Sequence, residues 1–254
     1  MYDTFIVKTT KKGVVAVNRR LESGQIYVTV DILALTVEEG KLRILLSRRR
    51  EEPFQGRWAL FGKLVGQEET AEEAARCLLR EMLPPGEGYL EQLYTFADLG
   101  RDPRGRVISI AYLAVLPWGS LGQLREGQQL FQLGMDREGL CLRGPDGELL
   151  RRRDLAFDHG SIVETGLLRL RGKLQYTDIG FHFLCDTGSF TLRELQTVYE
   201  AVQGRPTDGG NFRRSMQSRY IDTGRIVRTD QREGARQKRG RPAARYRLSG
   251  PEEG

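Results

Sequence analysis

The sequence contains few of the residues that build disulfide or metal sites. Its 254 residues include three cysteines, far apart along the chain, and two histidines, so we expect neither a disulfide framework nor a transition-metal site. A long apolar run is also missing, because the most apolar stretch, residues 26–35, is about half of a membrane span and contains Asp31. The first residues lack the basic and then apolar pattern of a signal peptide. We therefore expect a cytoplasmic protein with no membrane partner.

Positive charge is concentrated near one end of the chain. The formal net charge is +6, but residues 205–247 include 13 basic and four acidic residues and carry +9, while the remainder carries −3. A near-neutral body with one basic end is typical of proteins that bind nucleic acid or an anionic membrane surface. The same pattern is compatible with a solvated arginine-rich tail.

The first 155 residues have the pattern of a mixed sheet covered by helices. Strands are predicted from runs of apolar and β-branched residues at 25–36, 42–46, 89–96 and 107–116. The first two are separated by a glycine-containing turn and form a predicted hairpin. Thr70 and Glu73 make a capping-box pattern before a run with helical spacing, and this helix is expected to end before Pro84 and Pro85.

The remaining residues predict a helical connection followed by a winged helix-turn-helix. Asp158 stands where it could cap a helix whose apolar stripe would lie in the core or form a dimer seam. Thr191 and Glu194 form a second capping box, and the helix behind them is expected to end at Gly204. A short polar helix over residues 211–219 follows. Two strands, predicted at residues 221–229 and 243–248, flank a basic loop.

Residues 66–82 match part of a known motif. Four positions have the spacing of the first part of the Nudix box: Gly66, Glu72, Arg80 and Glu81. In active Nudix enzymes two glutamates follow on the same helix, because Mg²⁺ needs several oxygen ligands to bind the pyrophosphate and position water. Pro84 and Pro85 occupy those two positions here.

The two prolines predict that the domain is not a hydrolase. Glu81 alone cannot assemble a magnesium site with several ligands, and Glu87, the next carboxylate, stands beyond the predicted end of the helix. We therefore expect no cofactor and no requirement for Mg²⁺. Glu72 and Arg80 are expected to pair and brace the loop.

The C-terminal half resembles a more specific family. The resemblance is carried by residues 155–159, 170–177, 190–196, 198–201, 204–206, 211–214 and 240–243. They are similar to those of Nudix-related transcriptional regulators, and the resemblance extends over about residues 27–248. It implies an α+β protein in which a Nudix-like α/β/α sandwich with a mixed sheet precedes a winged helix-turn-helix. Residues 1–155 would sense an effector, 156–185 would form a connecting helical segment, and 186–254 would bind DNA.

Membership of this family implies a particular function. Such proteins bind a palindromic operator in double-stranded DNA as homodimers, and a small molecule bound to the degenerate Nudix domain controls them. The effector in the best-known branch is ADP-ribose or a related NAD metabolite, and other branches sense other ligands, including sugars. We expect a ligand-responsive regulator, most simply a repressor. The alternative is a magnesium-dependent Nudix hydrolase of ADP-ribose or another nucleoside diphosphate derivative.

Candidate site residues follow from side-chain chemistry. For the effector they are Arg48, Arg49, Trp58, Phe61, Lys63 and Glu81. Arginine forks match diphosphate oxygens and the aromatic rings could stack on a base or sugar, although solvated arginines and core aromatics would give the same pattern. For DNA they are Asn211, Arg213, Arg214 and Gln217 in the major groove, with Lys238, Arg239, Arg241 and Arg245 on the wing.

Overall fold

The computed structural model of the chain describes residues 24–82, 88–117, 119–121, 123–232 and 243–249. Six residues named above lie outside the described residues: Pro84, Pro85, Glu87, Lys238, Arg239 and Arg241. Within the described ranges, no helix is both long and apolar enough to cross a membrane.

The first part of the chain folds around a nine-stranded mixed sheet. Its strands are β1 (Ile26–Glu38), β2 (Lys41–Arg48), β3 (Trp58–Ala59), β4 (Phe61–Leu64), β5 (Tyr89–Phe96), β6 (Arg106–Val115), β7 (Gln128–Asp136), β8 (Gly139–Arg143) and β9 (Leu149–Arg151). The order is β5-β6-β1-β2-β7-β8-β9, with β1 parallel to β6 and antiparallel to β2. Because β3 pairs with β2 and β4 pairs with β1, the segment that carries Trp58 and Lys63 is inserted between the central strands.

Helices cover both faces of this sheet. Helix α1 (Ala71–Met82) begins at the predicted capping box, in which the backbone amides of Glu73 and Thr70 donate to each other's side chains over 3.2 and 2.7 Å. Along β1, residues 30, 32 and 34 pack with α1, whereas residues 33, 35 and 37 pack with α2 (His159–Lys173). The predicted α/β/α sandwich is confirmed.

The C-terminal part is the predicted winged helix-turn-helix. Helix α3 (Leu192–Gln203) begins at the reciprocal capping box of Thr191 and Glu194 and ends at Gly204, whose φ of +71° suits glycine. Helix α4 (Gly209–Met216) follows after a short turn. The small sheet of the domain contains β10 (Phe190–Thr191), β12 (Ala244–Leu248) and β11 (Ile226–Arg232), in that order.

One apolar core joins the two domains. The buried side chains between α2 and the large sheet continue without a break into those of the winged helix-turn-helix. Phe181 is 1% exposed and lies in a short 3-10 helix, Ile179–Phe183, in the segment predicted to connect the domains. Its ring contacts Phe190 and Tyr220 edge-on, with centroids 5.6 and 5.0 Å away. The connecting segment is therefore part of the core of the DNA-binding domain.

The predicted pair of Glu72 and Arg80 does not form. Glu72 instead accepts two hydrogen bonds from Arg76, of 2.9 and 2.7 Å, and Arg80 donates to the backbone carbonyl of Arg76 over 3.3 Å. The prediction was wrong because residues four apart on a helix are direct neighbours, whereas residues eight apart are separated by two turns.

Two other expectations also need correction. Asp158 precedes α2, but its side chain makes no capping hydrogen bond because Arg101 occupies it. The polar helix predicted over residues 211–219 begins at Gly209, where Asp208 accepts from the amide of Asn211 over 2.8 Å, and continues through a π-helical turn, Gln217–Ile221. The first wing strand consequently starts at Ile226 and not at residue 221.

Candidate effector cleft and DNA interface

A charged cluster lies between α1 and the inserted strand β4. Lys63 on β4 pairs with Glu69 over 2.9 Å, and Glu69 also accepts from the amide of Gly66 over 2.8 Å. Burial raises the pKa of Glu81 at the end of α1, against the opposing effect of the positive charges of Arg125 and Lys63. Arg125 also donates to the carbonyl of Glu81 over 3.3 Å. The charges of two cations thus act on the Glu81 carboxyl group, and the described residues contain no group of three or more potential metal ligands.

A second cluster forms where β2 ends. Arg48 donates to the carbonyl of Gly56 over 2.9 Å, and Arg49 donates to that of Pro53 over 2.7 Å. The Arg49 guanidinium also lies 4.7 Å from the ring centroid of Phe157. Burial and the neighbouring positive charge of Arg104 lower the pKa of Arg49. Since no described carboxylate forms an ion pair with it, Arg49 is a half-buried cation suited to an anionic ligand.

Trp58 is a core residue rather than an exposed stacking platform. It is 8% exposed, its indole N–H donates to Glu148 over 3.2 Å, and its ring contacts Phe131 edge-on at 5.0 Å. Phe61, the other aromatic candidate, is half-buried and packs against the core on the α1 face. The stacking role predicted for Trp58 therefore does not fit its surroundings.

The candidate effector residues therefore divide between the two faces of the sheet. Phe61, Lys63 and Glu81 lie on the α1 face, and Arg48, near Trp58, lies on the face of α2. Loop residues 125–127 connect the two groups, because Arg125 contacts Glu81 while Gly127 accepts a 2.7 Å hydrogen bond from the amide of Arg48. Both clusters thus border the sheet end where β3 and β4 separate its central strands.

A buried polar network lies at the start of α2, and sequence patterns did not reveal it. Arg101 donates two hydrogen bonds to Asp158, of 2.9 and 2.7 Å, and approaches Asp31 at 3.4 Å. Ser109 on β6 donates to the same oxygen of Asp31, Oδ2, over 2.5 Å. Gly62 is required beside it, because a Cβ atom there would stand 2.2 Å from an oxygen of Asp31.

His159 joins this network to the inserted strands. Its Nδ1 accepts from the amide of Leu60 over 2.9 Å, so the neutral ring carries its proton on Nε2, which lies 3.6 Å from Asp31. Burial lowers the pKa of His159. The charges of Asp31 and Asp158 act in the opposite direction, and those of Arg101 and Arg49 add to the lowering. The first residue of α2 is thereby held as a neutral imidazole against the sheet.

Stability is expected to fall when the pH is lowered from 7.5 to 5.5. The folded-state pKa of His159 lies below the unfolded value of about 6.5, so the unfolded chain binds more protons in this window, at up to ~1.4 kcal/mol per pH unit. Burial lowers the pKa of His182 as well, with the same sign. The free energy of unfolding in urea, measured at both pH values, gives the size of the effect. The same measurement on the asparagine variant of each histidine shows how much of it that histidine contributes. Equal stability of the wild type at both pH values would contradict this assignment.

Helix α4 presents a polar face away from the core. Phe212, Met216 and, in the following turn, Tyr220 are buried, while the four residues predicted to contact DNA on this helix and at the start of that turn are exposed. These are Asn211, Arg213, Arg214 and Gln217. The Arg214 side chain hydrogen-bonds Asn211, and Gln217 donates to Asp222 over 2.6 Å. The amphipathic pattern leaves the polar face open to a partner.

The described wing strands add further basic residues. Arg245 is half-buried and donates to the hydroxyl and carbonyl of Ser189, over 2.7 and 2.8 Å, so it braces the small sheet. Arg228 and Arg247 are exposed on β11 and β12, and neither was among the predicted contacts. The sequence signal that could have identified these two arginines is their position in the predicted strands on either side of the basic loop.

Comparisons with known proteins match this architecture. The family described as the NrtR DNA-binding winged helix domain matches residues 180–248. A relative described as ADPR responsive transcriptional repressor NtrR, from Acinetobacter baylyi, is 32% identical over 225 residues, or 87% of this chain and 82% of the relative. An ADP-ribose pyrophosphatase from Methanocaldococcus jannaschii is 35% identical over 150 residues, or 58% of this chain and 78% of that relative. Solved with a 27mer DNA, Shewanella oneidensis NrtR is 28% identical, with a TM-score of 0.66 and coverage of 87% of this chain and 93% of that one.

A Nudix-like domain that shares its core with a winged helix-turn-helix defines the class of Nudix-related transcriptional regulators. Such a protein binds double-stranded DNA and responds to a small-molecule effector. The chain belongs to the NrtR family within this class. These comparisons support the expectation that the whole protein is a ligand-responsive DNA-binding regulator rather than a hydrolase.

Proposed function

We propose that the protein is a repressor that binds ADP-ribose, or a related NAD metabolite, without hydrolysing it and then releases its operator. The observation that carries the proposal is the pairing of an exposed polar α4 face with a Nudix-like domain whose motif ends in prolines instead of metal-binding glutamates. Among the relatives, the A. baylyi protein is described as an ADP-ribose-responsive repressor. Binding without turnover is what a sensor requires.

The effector site in this proposal is the sheet end between the two clusters. Arg49 and Arg48 would contact the diphosphate on the α2 face, and Lys63 would contribute a third positive charge near Glu81. Phe61 is the aromatic candidate for a base or sugar, since Trp58 is enclosed in the core. Two chains would bind one palindromic operator, each placing α4 in a major groove.

Incubation with ADP-ribose and Mg²⁺ is expected to yield no AMP, because Pro84 and Pro85 follow Glu81 at the two positions where glutamates would complete a magnesium site. ADP-ribose at 100 times its Kd should nevertheless stabilise the fold by about 2.7 kcal/mol, seen as a higher Tm. The Arg49→Ala variant should lose most of this stabilisation. Rapid AMP release that disappears in Glu81→Gln would replace the proposal with the hydrolase alternative.

Operator release supplies the second test. Fluorescence anisotropy with the DNA upstream of the gene should show weaker binding when ADP-ribose is present. NAD and common sugars serve as comparison ligands, since other branches of the family respond to different molecules. Tighter binding in the presence of ADP-ribose would reverse the sign of control and contradict the repressor assignment.

A further inference from the structure

Helix α2 is fastened at its first turn to residues beside the candidate effector cleft. Asp158 is bound by Arg101 through two hydrogen bonds, and His159 accepts the amide of Leu60, which lies between the inserted strands. Phe157, the preceding residue, lies under the guanidinium of Arg49. Its φ of +52° is unusual for an aromatic residue and is held by these surroundings. A change at Arg49 would therefore act directly on the start of α2.

The other end of α2 is fastened to the end of the DNA-facing helix. Arg219, in the π-helical turn that continues α4, donates to the carbonyls of Leu174 and Thr177 over 3.1 and 3.2 Å. Tyr220 donates from its hydroxyl to the same Thr177 carbonyl over 3.0 Å. The Leu174 carbonyl is at the C-cap of α2, where acceptors lack partners within the helix, and Thr177 lies in the segment that follows. Arg219 therefore satisfies the end of α2 and fixes the direction of α4.

The body of α2 is packed into the shared core and is also tied to α3. Arg171 donates to the carbonyl of Val202 over 2.9 Å, and its own carbonyl accepts from Gln203 over 3.1 Å. Leu167 and Leu170 are fully buried against the shared core. A helix of 15 residues is about 22 Å long, so a displacement at one end is transmitted to the other with little loss.

We propose that α2 is the element that couples the effector cleft to the DNA-facing helix, with Arg219 as its positioning residue. The proposal rests on the proposed function, because it assigns the route by which the bound effector changes DNA affinity. A ligand at Arg49 shifts Phe157 and the Asp158 anchor, α2 moves as a unit, and Arg219 carries α4 with it. The guanidinium of Arg219 makes these contacts within the protein, and it also lies 4.8 Å from the ring centroid of Tyr220.

The Arg219→Ala variant tests the far end of this route. The measured quantity is the ratio of the operator Kd with saturating ADP-ribose to the Kd without it, which for allosteric regulators is about 5–150. Arg219→Ala is expected to lower this ratio at least threefold while the Kd for ADP-ribose in the absence of DNA stays within twofold. Arg219→Lys, which keeps the positive charge and a single donor nitrogen, should give an intermediate ratio, and it replaces the alanine variant if that variant does not fold.

Arg214→Ala is the matched control. Arg214 lies five residues earlier on the exposed face of α4, so its loss should weaken operator binding with and without effector and leave the ratio unchanged. An unchanged ratio in both Arg219 variants would overturn the proposal. Equal reductions in the ratio for Arg214→Ala would also overturn it, because Arg219 would then have no special part in coupling.

A second measurement does not depend on the effector. Asp158→Asn loosens the near anchor, and amide hydrogen exchange of Gln217–Ile221 at the far end is expected to speed up at least fivefold. The control is Arg76→Ala, on the opposite face of the sheet, which should leave that exchange unchanged. If ADP-ribose does not change operator binding by the wild type but Asp158→Asn speeds up the exchange, the proposed effector is wrong and the proposed coupling is supported. If exchange stays at the wild-type rate, the coupling fails whatever the effector.

Discussion

Replacing Arg101 with alanine is expected to lower the free energy of unfolding by about 3–5 kcal/mol. The side chain is 3% exposed and is the cation that neutralises both Asp31 and Asp158, which are 8% and 16% exposed. Its removal would leave two carboxylates near each other with little water to solvate them. The effect is large because the loss of one partner costs more than the pair itself contributes.

Urea denaturation of the wild type and the Arg101→Ala variant measures this loss. Arg76→Ala is the matched control, since Arg76 also forms an arginine–carboxylate pair, with Glu72, but both side chains are more than half exposed. The control should cost about 0.5 kcal/mol or less. A loss for Arg101→Ala no greater than that of the control would mean that the network does not stabilise the fold.

Operator affinity is expected to fall about 10³-fold or more between 50 and 200 mM salt. Among the residues whose exposure the structure describes, four exposed arginines per chain lie on α4 and the wing strands: Arg213, Arg214, Arg228 and Arg247. In the proposed dimer these make eight positive charges, and neutralising roughly six to ten phosphates gives a salt dependence of this size through counterion release. The slope of log K against log salt concentration is the measurement.

Arg213→Ala should reduce the magnitude of that slope by about 1 for each phosphate contact removed and weaken binding to specific and unrelated DNA alike. The Arg76→Ala variant, altered on the Nudix-like domain, should keep the wild-type slope. An operator affinity that hardly changes with salt would mean that this basic face does not contact phosphates, and the DNA interface would have to be sought elsewhere on the chain.

Local signals made much of the fold predictable. Each of three helix signals depends on only a few neighbouring residues: the capping boxes at Thr70 and Thr191 and the terminating Gly204. All three occur at the predicted positions. Strands β7, β8 and β9 were missed because their sequences are rich in leucine and glutamine and poor in β-branched residues. They form because β7 pairs with β2 and extends the sheet.

The buried polar network beside the candidate effector cleft was less predictable, because its contacts join distant parts of the chain. Asp31 and Arg101 are 70 residues apart, and they meet only after the sheet has brought β1 beside β6. Asp31 within an apolar run was the single visible sign of a buried polar partner. For Trp58 the sequence left a stacking role and a place in the core both open, since an aromatic beside a glycine-rich loop has the same sequence signature in either case. The side chain lies in the core.

The shared core has a consequence for how this DNA-binding domain can be cut or transplanted. A fragment that begins at residue 186 omits Phe181 and Phe183, each 1% exposed, and would leave the inner sides of Phe190 and Tyr220 facing water. A fusion that joins this domain to another sensor must therefore carry the 3-10 helix Ile179–Phe183 and the end of α2 with it. A cut at residue 186 therefore divides one packed core and does not separate two independent units.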